Sequence, residues 1–363
     1  MYNIGRNKGY PLEGNMELGN KIKQLRLKVS LTQEQLADSL GISPQSVSKW
    51  ENSVSMPDIT LLPEIAEIFG VTIDELFDLT VEQKFSRIEN RMELEERLSS
   101  DVFWEYEEFL KAQLKVEKYK PQATSLLANL YHHRMTSDAK EVSKYARESM
   151  RLAPEVKDCQ WLLGMAEGQT CWDWNISNHA KLIEFYKELI ANDKKEPKTP
   201  MPYYYLIDNL IADNRVDEAE KYVGEVAKLP ATKPVLVEVY KAYIALGRHD
   251  VKTADAIMEK LVSDNPTNCD ALFETAQYYA RQCKYEKAIE FYNRSFESEP
   301  KKPRFTDAPQ AISIIYEIMG DYENAAKAYE RVIRCLKEEW GMTEEVELKD
   351  AEKELDRLKN RAI

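Results

Sequence analysis

The sequence is poor in glycine and histidine and has no paired cysteines. Its 363 residues include 12 glycines, 4 histidines and 5 cysteines, and the cysteines are scattered without a CxxC pair. This usage argues against a disulfide framework or a structural zinc site and predicts a reducing, cytoplasmic location. No run approaches the roughly 18 apolar residues of a membrane-spanning helix. The opening MYNIGRNKGYPLEGN also lacks the apolar core of a signal peptide, so secretion and membrane insertion are both disfavoured.

Motifs for catalysis are also missing from the sequence. We find no glycine-rich phosphate loop, HExxH, nucleophile elbow or kinase motif. His132 and His133 are adjacent, and neighbouring residues of a helix point to different sides, which disfavours a shared metal. The sequence therefore predicts no enzyme, no metal and no cofactor. A net charge of -13 argues against a general coat of nucleic acid, although it allows a small local DNA-binding face.

Scarce glycine and abundant Glu, Lys, Leu and Ala predict a mostly helical protein, and helix boundaries are clearest near the N-terminus. Thr32 and Gln35 form a capping box that starts a helix, which Gly41 ends. Ser43 is then a predicted N-cap, with Pro44 at the first helical position, where a missing N–H costs nothing. The pattern predicts five short helices in one compact domain.

The stretch LTQEQLADSLGISPQSVSKWEN (residues 31–52), followed by PDITLLPEIAEIFGVTIDEL, resembles the Cro/repressor-type (XRE) helix-turn-helix family of bacterial and phage regulators. The resemblance covers roughly residues 16–79. It implies that the second helix of the motif enters the major groove of double-stranded DNA.

Mapped onto this sequence, the resemblance implies three sets of site residues. The base-reading set is Pro44, Gln45, Ser48 and Lys49. The phosphate-contacting set is Gln33, Ser43, Ser46 and Asn52. Arg26 and Glu51 match a structural ion pair. Gln45 can bond adenine and Lys49 can donate to guanine.

Two positions depart from the family pattern. Pro44 replaces a common polar reader, and Ser53 stands where glycine often follows Glu-Asn, so the turn there is expected to differ in shape. Basic residues cluster early in the domain, whereas acidic residues fall mainly on its last two helices. Because one copy could neutralise few phosphates, we expect weak binding by a monomer and a homodimer on two half-sites.

Residues 80–118 are charge-dense and predict a helical linker. Phe85, Ile88 and Met92 form a narrow apolar stripe. The stripe could be a dimer seam, but packing onto the following domain is favoured. The N-terminal residues 1–15 are assigned to a disordered arm, with Met16 as an alternative start.

Residues 119–363 contain repeated helix pairs. Ala254 lies 34 residues before Ala288, and large tyrosines recur around these small residues, a spacing typical of tetratricopeptide repeats. We predict four repeats over 200–337, about two divergent ones before them, and a final helix from Thr343 to Arg361 that caps the array.

The first helices of such repeats line a concave surface that binds peptides or proteins. The resemblance to tetratricopeptide repeats places eleven residues on this candidate groove: Asn129, His132, His133, Trp161, Tyr204, Asp208, Lys241, Phe273, Gln277, Arg281 and Glu317. Each could equally be an ordinary surface residue of the array. The segment CWDWNISNH (171–179) is interpreted as an aromatic-anchored loop rather than a metal site.

The sequence as a whole predicts an all-α bacterial transcriptional regulator with a helix-turn-helix head and a helical-repeat body. We expect the body to dimerise, to sense a peptide or protein ligand, or to do both. The alternative is a scaffold that recruits a protein partner to DNA without a small effector.

Overall fold

The computed structural model of the chain describes residues 17–77, 80–154, 157–168, 179–194 and 196–362. None of these residues lies in a strand, which confirms the predicted all-α class. No helix among them is long and apolar enough to cross a membrane. The helices are α1 (Glu17–Lys28), α2 (Gln33–Ser39), α3 (Pro44–Glu51), α4 (Leu62–Phe69), α5 (Ile73–Leu76), α6 (Val81–Leu94), α7 (Ser100–Gln113), α8 (Lys120–Leu152), α9 (Lys157–Ala166), α10 (Ala180–Asn192), α11 (Met201–Ala212), α12 (Val216–Val226), α13 (Pro234–Gly247), α14 (Val251–Asp264), α15 (Cys269–Ala280), α16 (Tyr285–Ser298), α17 (Asp307–Ile318), α18 (Tyr322–Arg334) and α19 (Val346–Arg361).

The chain divides into two compact units. The first unit comprises residues 1–92 and 97–134, and the second comprises residues 93–96 and 135–363. The division falls inside α8, later than the boundary at 118/119 expected from the sequence.

Helices α1 to α5 of the first unit, which we call the head, enclose an apolar core of their own. The buried residues come from α1 to α5 and follow the spacings read from the sequence: Leu18, Ile22, Leu25, Leu36, Ala37, Leu40, Val47, Trp50, Leu62, Ile65, Ala66, Phe69 and Leu76. Short helices of this length are marginal alone, so packing around this shared core stabilises them.

A second core in the first unit forms between α6, α7 and the first part of α8. Phe85 and Ile88 are buried there against Phe103, Leu110 and Leu126. The predicted apolar stripe of the linker is therefore buried within its own unit. Burial removes Phe85 and Ile88 from any dimer seam.

Helix α8 corrects one prediction about the repeats. Of the two divergent pairs expected before residue 200, the first would close near Pro154, but residues 120–152 form one continuous helix of 33 residues. The reason is local: residues 122–152 contain no glycine or proline that would end a helix. The segment is thus not a tetratricopeptide-like pair.

The four predicted repeats are confirmed as four antiparallel helix pairs, from α11–α12 to α17–α18. Ala219, Ala254 and Ala288 are completely buried where paired helices touch. Tyr279 and Tyr292 are also buried, in the same core as Ala254 and Ala288. Small residues allow close helix approach and large tyrosines fill the remaining space, which explains the recurring Ala/Tyr pattern.

The first helices of successive pairs lie side by side, since α13 contacts both α11 and α15. Between the second helices α12 and α14 lies a pocket of about 440 Å³. This arrangement brings the first helices together on one side of the array. Helix α19 packs on α18 through Leu348 and Leu358, in the position of the predicted cap.

Candidate nucleic-acid interface and ligand groove

The helix-turn-helix is formed by α2, a tight turn and α3. The Thr32 hydroxyl accepts from the backbone N–H of Gln35, whose side chain accepts from the backbone of Thr32, which completes the predicted capping box. Gly41 in the turn has a φ of 64°, a conformation that costs glycine little. Ser43 caps α3 by accepting from the backbone N–H of Ser46 at 3.3 Å. Local sequence signals thus set both ends of the turn.

Helix α1 approaches α3 very closely at Gly19. A Cβ atom at this position would lie 2.0 Å from the backbone carbonyl oxygen of Trp50. Only glycine permits such an approach. The contact therefore sets the position of the C-terminal end of α3 against α1.

A buried polar network ties α1 to α2 and α3. Arg26 Nε donates to Glu51 Oε1 at 2.6 Å, and Arg26 Nη2 donates to Glu51 Oε2 at 3.0 Å. Gln33 Nε2 also donates to Glu51 Oε2, at 2.8 Å. Burial by itself would raise the pKa of Glu51, but these hydrogen bonds outweigh it, and the pKa is below its ordinary value. The carboxylate is consequently charged and fully engaged.

The candidate base-reading residues share one side of α3. Gln45 and Lys49 are four residues apart, so they lie on the same face, and both are exposed. In the described part of the chain, neither side chain makes a hydrogen bond or an ion pair. Pro44 and Ser48 are half-buried beside them. Val47 and Trp50 face the core, as the helical spacing predicts.

The candidate phosphate-contacting residues are placed around the ends of these helices. The hydroxyls of Ser43 and Ser46 lie 2.9 Å apart at the start of α3. Asn52 Nδ2 donates to the backbone oxygen of Ser48 at 2.8 Å, at the end of the helix. Gln33 uses one N–H for Glu51, and its amide nitrogen carries a second. One of the two serine hydroxyls therefore keeps its donor, and Gln33 keeps one N–H donor besides its structural role.

Ser53 has a φ of 57°, the left-handed conformation that favours glycine. The expectation was that serine would give this turn a different shape. Instead, the backbone adopts the conformation that glycine adopts easily, and serine is strained there.

The eleven candidate groove residues are not all in one unit. Asn129, His132 and His133 lie in the first unit, whereas the other eight lie in the second. Trp161 is half exposed on α9. Glu317 on α17 forms an ion pair of 2.7 Å with Arg357 of the capping helix.

The first helices of three consecutive pairs, α11, α13 and α15, form a surface that we call the inner wall, and four of the candidates lie on α11 and α15. Asp208 is on α11, and Phe273, Gln277 and Arg281 are on α15 or directly after it. The Phe273 ring packs against Tyr292, with ring centroids 5.3 Å apart. It is partly buried against the core, so much of its ring is structural.

Two further candidates differ from these four. Tyr204, also on α11, is buried, and its hydroxyl accepts from the backbone N–H of Lys233 at 2.8 Å. Lys241 instead lines the pocket between α12 and α14 together with Glu220 and Arg248. Lys241 lies on the first helix α13, which also contributes Val237 and Ile244 to this pocket, and its place on the candidate groove stays a prediction.

Three inner-wall residues were missed by the sequence analysis: Tyr240, Tyr243 and Glu274. The tyrosines look like ordinary repeat residues, and Glu274 looks like one of many surface glutamates. Burial raises the pKa of Glu274 to about 7, with a further contribution from Asp208. Burial also raises the pKa of Asp208, partly offset by a hydrogen bond from Tyr240. Only the folded arrangement distinguishes these side chains.

Comparisons with known proteins match the head. The helix-turn-helix family model HTH_3 matches residues 22–76. The transcriptional activator BcrR of Enterococcus faecalis is 42% identical over 79 residues, covering 22% of this chain and 39% of BcrR. The transcriptional regulator MJ0272 of Methanocaldococcus jannaschii is 41% identical over 58 residues, covering 16% of this chain and 88% of that protein. The phage repressor RstR of Vibrio cholerae is 34% identical over 61 residues, covering 17% of this chain and 54% of RstR.

Similar solved structures are weaker matches. PlcR of Bacillus thuringiensis in complex with the peptide PapR7 and DNA covers 94% of each chain at 14% identity, with a TM-score of 0.20. MamA of Desulfovibrio magneticus covers 55% of this chain and 95% of its own at 18% identity, with a TM-score of 0.28.

The head matches these relatives over nearly the whole length of MJ0272 but less than half of BcrR. The matched region contains the caps of α2 and α3, the Arg26–Glu51 pair and the exposed face of α3. By this domain, the chain belongs to the XRE-type helix-turn-helix family of transcriptional regulators.

Proposed function

We propose that the protein regulates transcription by reading double-stranded DNA through α3, with Gln45 and Lys49 contacting base edges. The observation that carries this proposal is the contrast within one helix. Its inward side is held by the core and by Glu51, while Gln45 and Lys49 are exposed and make no hydrogen bond within the described residues. Pre-positioned donors with no internal partner are what base recognition in the major groove requires.

Selection of bound sites from random DNA by the full chain tests this proposal. We expect one enriched motif, and no enriched site would refute DNA reading. On that motif, Gln45→Ala and Lys49→Ala should each weaken binding by about 1–3 kcal/mol per lost base contact, with unchanged thermal unfolding. Lys252→Ala, which removes an exposed charge from α14, is the matched control and should bind normally.

The functional state is proposed to be a homodimer on two half-sites. The basic residues of the head are few, so a single copy would neutralise few phosphates and bind weakly. A palindromic enriched motif and a two-chain mass by sedimentation support this state. A monomer bound to a single half-site with full affinity would contradict it.

The four helix pairs from α11–α12 to α17–α18, which we call the repeat unit, are proposed to bind a peptide ligand on the inner wall. Polar and aromatic side chains of α11, α13 and α15 line this wall, and such groups suit a peptide whose backbone needs hydrogen-bond partners. Binding would change the curvature of the array and so the spacing of two DNA-reading heads. This is allostery only if peptide and DNA change each other's affinity by the same factor, which titrations in both directions measure.

A second candidate function is a DNA-tethered scaffold that holds a protein partner. Exposed apolar side chains favour it, because Ile314 and Ile318 on α17 are 57% and 61% exposed. Stable capture of a folded protein, with DNA affinity equal under all peptides, would support the scaffold over the sensor.

A further inference from the structure

A cluster of ionisable side chains from three successive first helices meets on the inner wall. Asp208 comes from α11, Tyr240 and Tyr243 from α13, and Glu274 from α15, with Arg281 directly after α15. The groups act on one another electrostatically, since Asp208 and Arg281 both influence the ionisation of Glu274 and of Tyr243. We call these five residues the wall cluster.

Tyr243 is the unusual member of the wall cluster. Its side chain is buried, with the residue only 7% exposed, and its hydroxyl is the one buried side-chain polar atom without a hydrogen-bond partner among the described residues. An unsatisfied buried hydroxyl costs on the order of 1–3 kcal/mol, so its persistence calls for a reason. The Arg281 guanidinium carbon lies 4.5 Å from the centroid of the Tyr243 ring, and thus engages the ring face.

The charges of the wall cluster do not balance. Asp208 and Glu274 are two carboxyl groups, and Arg281 is the single basic member. The nearby Lys233 and Asp270 pair with each other at 2.9 Å and cancel. Within the described residues, no basic nitrogen reaches salt-bridge distance of either Asp208 or Glu274.

The pKa values agree with this imbalance. Burial raises the pKa of both carboxyl groups, and the attraction of Arg281 only partly opposes the shift. Asp208 is still reached by solvent and Glu274 is partly exposed, so an incoming group could contact both. A second positive charge placed here would meet two under-compensated carboxylates.

We propose that the wall cluster binds a cationic nitrogen of the ligand, so that the repeat unit selects peptides carrying a lysine, an arginine or a free N-terminal ammonium. The inference rests on the proposed peptide binding by the inner wall and specifies its chemistry. A primary ammonium has three N–H donors, which match the two carboxylates and the unpartnered Tyr243 hydroxyl.

The test is a selection of random seven-residue peptides displayed with free N-termini, using the full chain. Wild-type protein is expected to enrich peptides with a basic residue. The Asp208→Asn/Glu274→Gln variant keeps the shape of both side chains but removes their charge, and should lose this enrichment. Glu286→Gln/Glu297→Gln, which removes two exposed charges from the second helix α16, is the matched control and should behave as wild type.

Measured affinities for one enriched peptide then identify the nitrogen. Replacing its basic residue by norleucine should weaken binding to wild type at least about tenfold and leave binding to Asp208→Asn/Glu274→Gln unchanged. N-terminal acetylation is the second arm, and it should have the larger effect only if the terminal ammonium is the bound group.

The outcomes separate this inference from the proposed function. Enrichment of neutral or acidic peptides, or equal enrichment by Asp208→Asn/Glu274→Gln, would overturn the cationic site and leave peptide sensing intact. No enrichment at all, by a chain that still binds its selected DNA, would refute both.

Discussion

The head and the repeat unit treat buried polar groups in opposite ways. In the head, Glu51 receives three hydrogen bonds from Arg26 and Gln33, so its charge is compensated inside the protein. In the repeat unit, the Tyr243 hydroxyl has no hydrogen-bond partner among the residues that the structure describes, and burial raises the pKa of Glu274 to about 7. A satisfied network holds α3 rigidly, as the proposed reading of DNA by this helix requires. On the inner wall, by contrast, the proposed cationic ligand would supply the charge and the hydrogen bond that the protein does not provide.

The two regions also differ in how they bring helices close together. The head relies on one glycine, Gly19, against the carbonyl of Trp50. The repeat unit uses an alanine in each pair, such as Ala254 and Ala288, and repeats the solution along the chain. A single substitution should therefore destabilise the whole head, whereas the stability of the repeat unit is spread over several similar interfaces.

The largest expected effect is that of Gly19→Ala. The new Cβ would lie 2.0 Å from the Trp50 carbonyl oxygen, so α1 and α3 must separate. We expect a loss on the order of 3–5 kcal/mol in the stability of the head and loss of DNA binding. Hydrogen exchange should show increased exchange in α1 to α5 and unchanged exchange in α11 to α18.

Gly224→Ala on α12 is the control, because a Cβ there meets nothing within 4 Å. It should be neutral or stabilising by up to about 1 kcal/mol. Equal destabilisation by both substitutions would show that the close approach of α1 to α3 has no special role.

Arg26→Met should also destabilise the head, by about 3–5 kcal/mol, since it leaves Glu51 buried without its positive partner. Replacing both residues, in Arg26→Met/Glu51→Leu, should recover much of that loss because no buried charge remains. The measurement is chemical denaturation of the three proteins. If the double variant were as unstable as the single one, the pair would not act as a charge-compensated unit.

The head and the repeat unit should also differ in how their stability depends on pH. The folded-state pKa of Glu274 is raised from 4.5 to about 7, so its contribution to stability is full below its unfolded value and is lost as the pH rises through about 7. Between pH 4.5 and pH 7 we expect wild type to lose about 3 kcal/mol of stability relative to Glu274→Gln.

Glu51 has the opposite sign, which provides an internal comparison. Its pKa is lowered in the folded state, so its contribution is present above the unfolded value and is lost as the pH falls through the folded one. Thermal unfolding of wild type and Glu274→Gln at several pH values isolates the Glu274 effect, and the same comparison of wild type with Glu51→Gln isolates the Glu51 effect. Parallel pH profiles for the two proteins would contradict the assignment to Glu274.

The smallest expected effect is that of Ser53→Gly. Ser53 has a φ of 57°, and glycine adopts this conformation without strain, so we expect a gain of about 0.5–1 kcal/mol. Thermal unfolding of the head checks it, with Ser55→Gly as a neighbouring control outside the left-handed region. A gain from Ser55→Gly as large as that from Ser53→Gly would argue against relief of strain.

Most of the head was predictable from sequence because its signals are local. The capping box at Thr32, the cap at Ser43 and the spacing of Val47 and Trp50 each depend on residues a few positions apart. The resemblance correctly placed Arg26 beside Glu51, although that contact joins distant segments. The shared role of Gln33 in holding Glu51 was not predictable, since its position matched a phosphate contact only.

The repeat unit was predictable in its pairs but less so at its start. Recurring alanines and tyrosines indicated the four pairs from α11 to α18. The continuous helix α8 was not predicted, because Leu127 and Tyr131 match repeat positions, although residues 122–152 contain no glycine or proline that would end a helix.

By itself, the sequence determined the helical class, the caps and turn of the DNA-reading motif, and the period of the repeats, because these follow from interactions over a few residues or one repeat length. Tertiary structure alone decided that Gly19 touches Trp50, that the unit boundary falls inside α8, and that Asp208, Tyr243, Glu274 and Arg281 share one wall. Such features depend on which faces meet when helices pack. The ionisation of a carboxyl group or the isolation of a hydroxyl follows from those neighbours and not from its place in the chain.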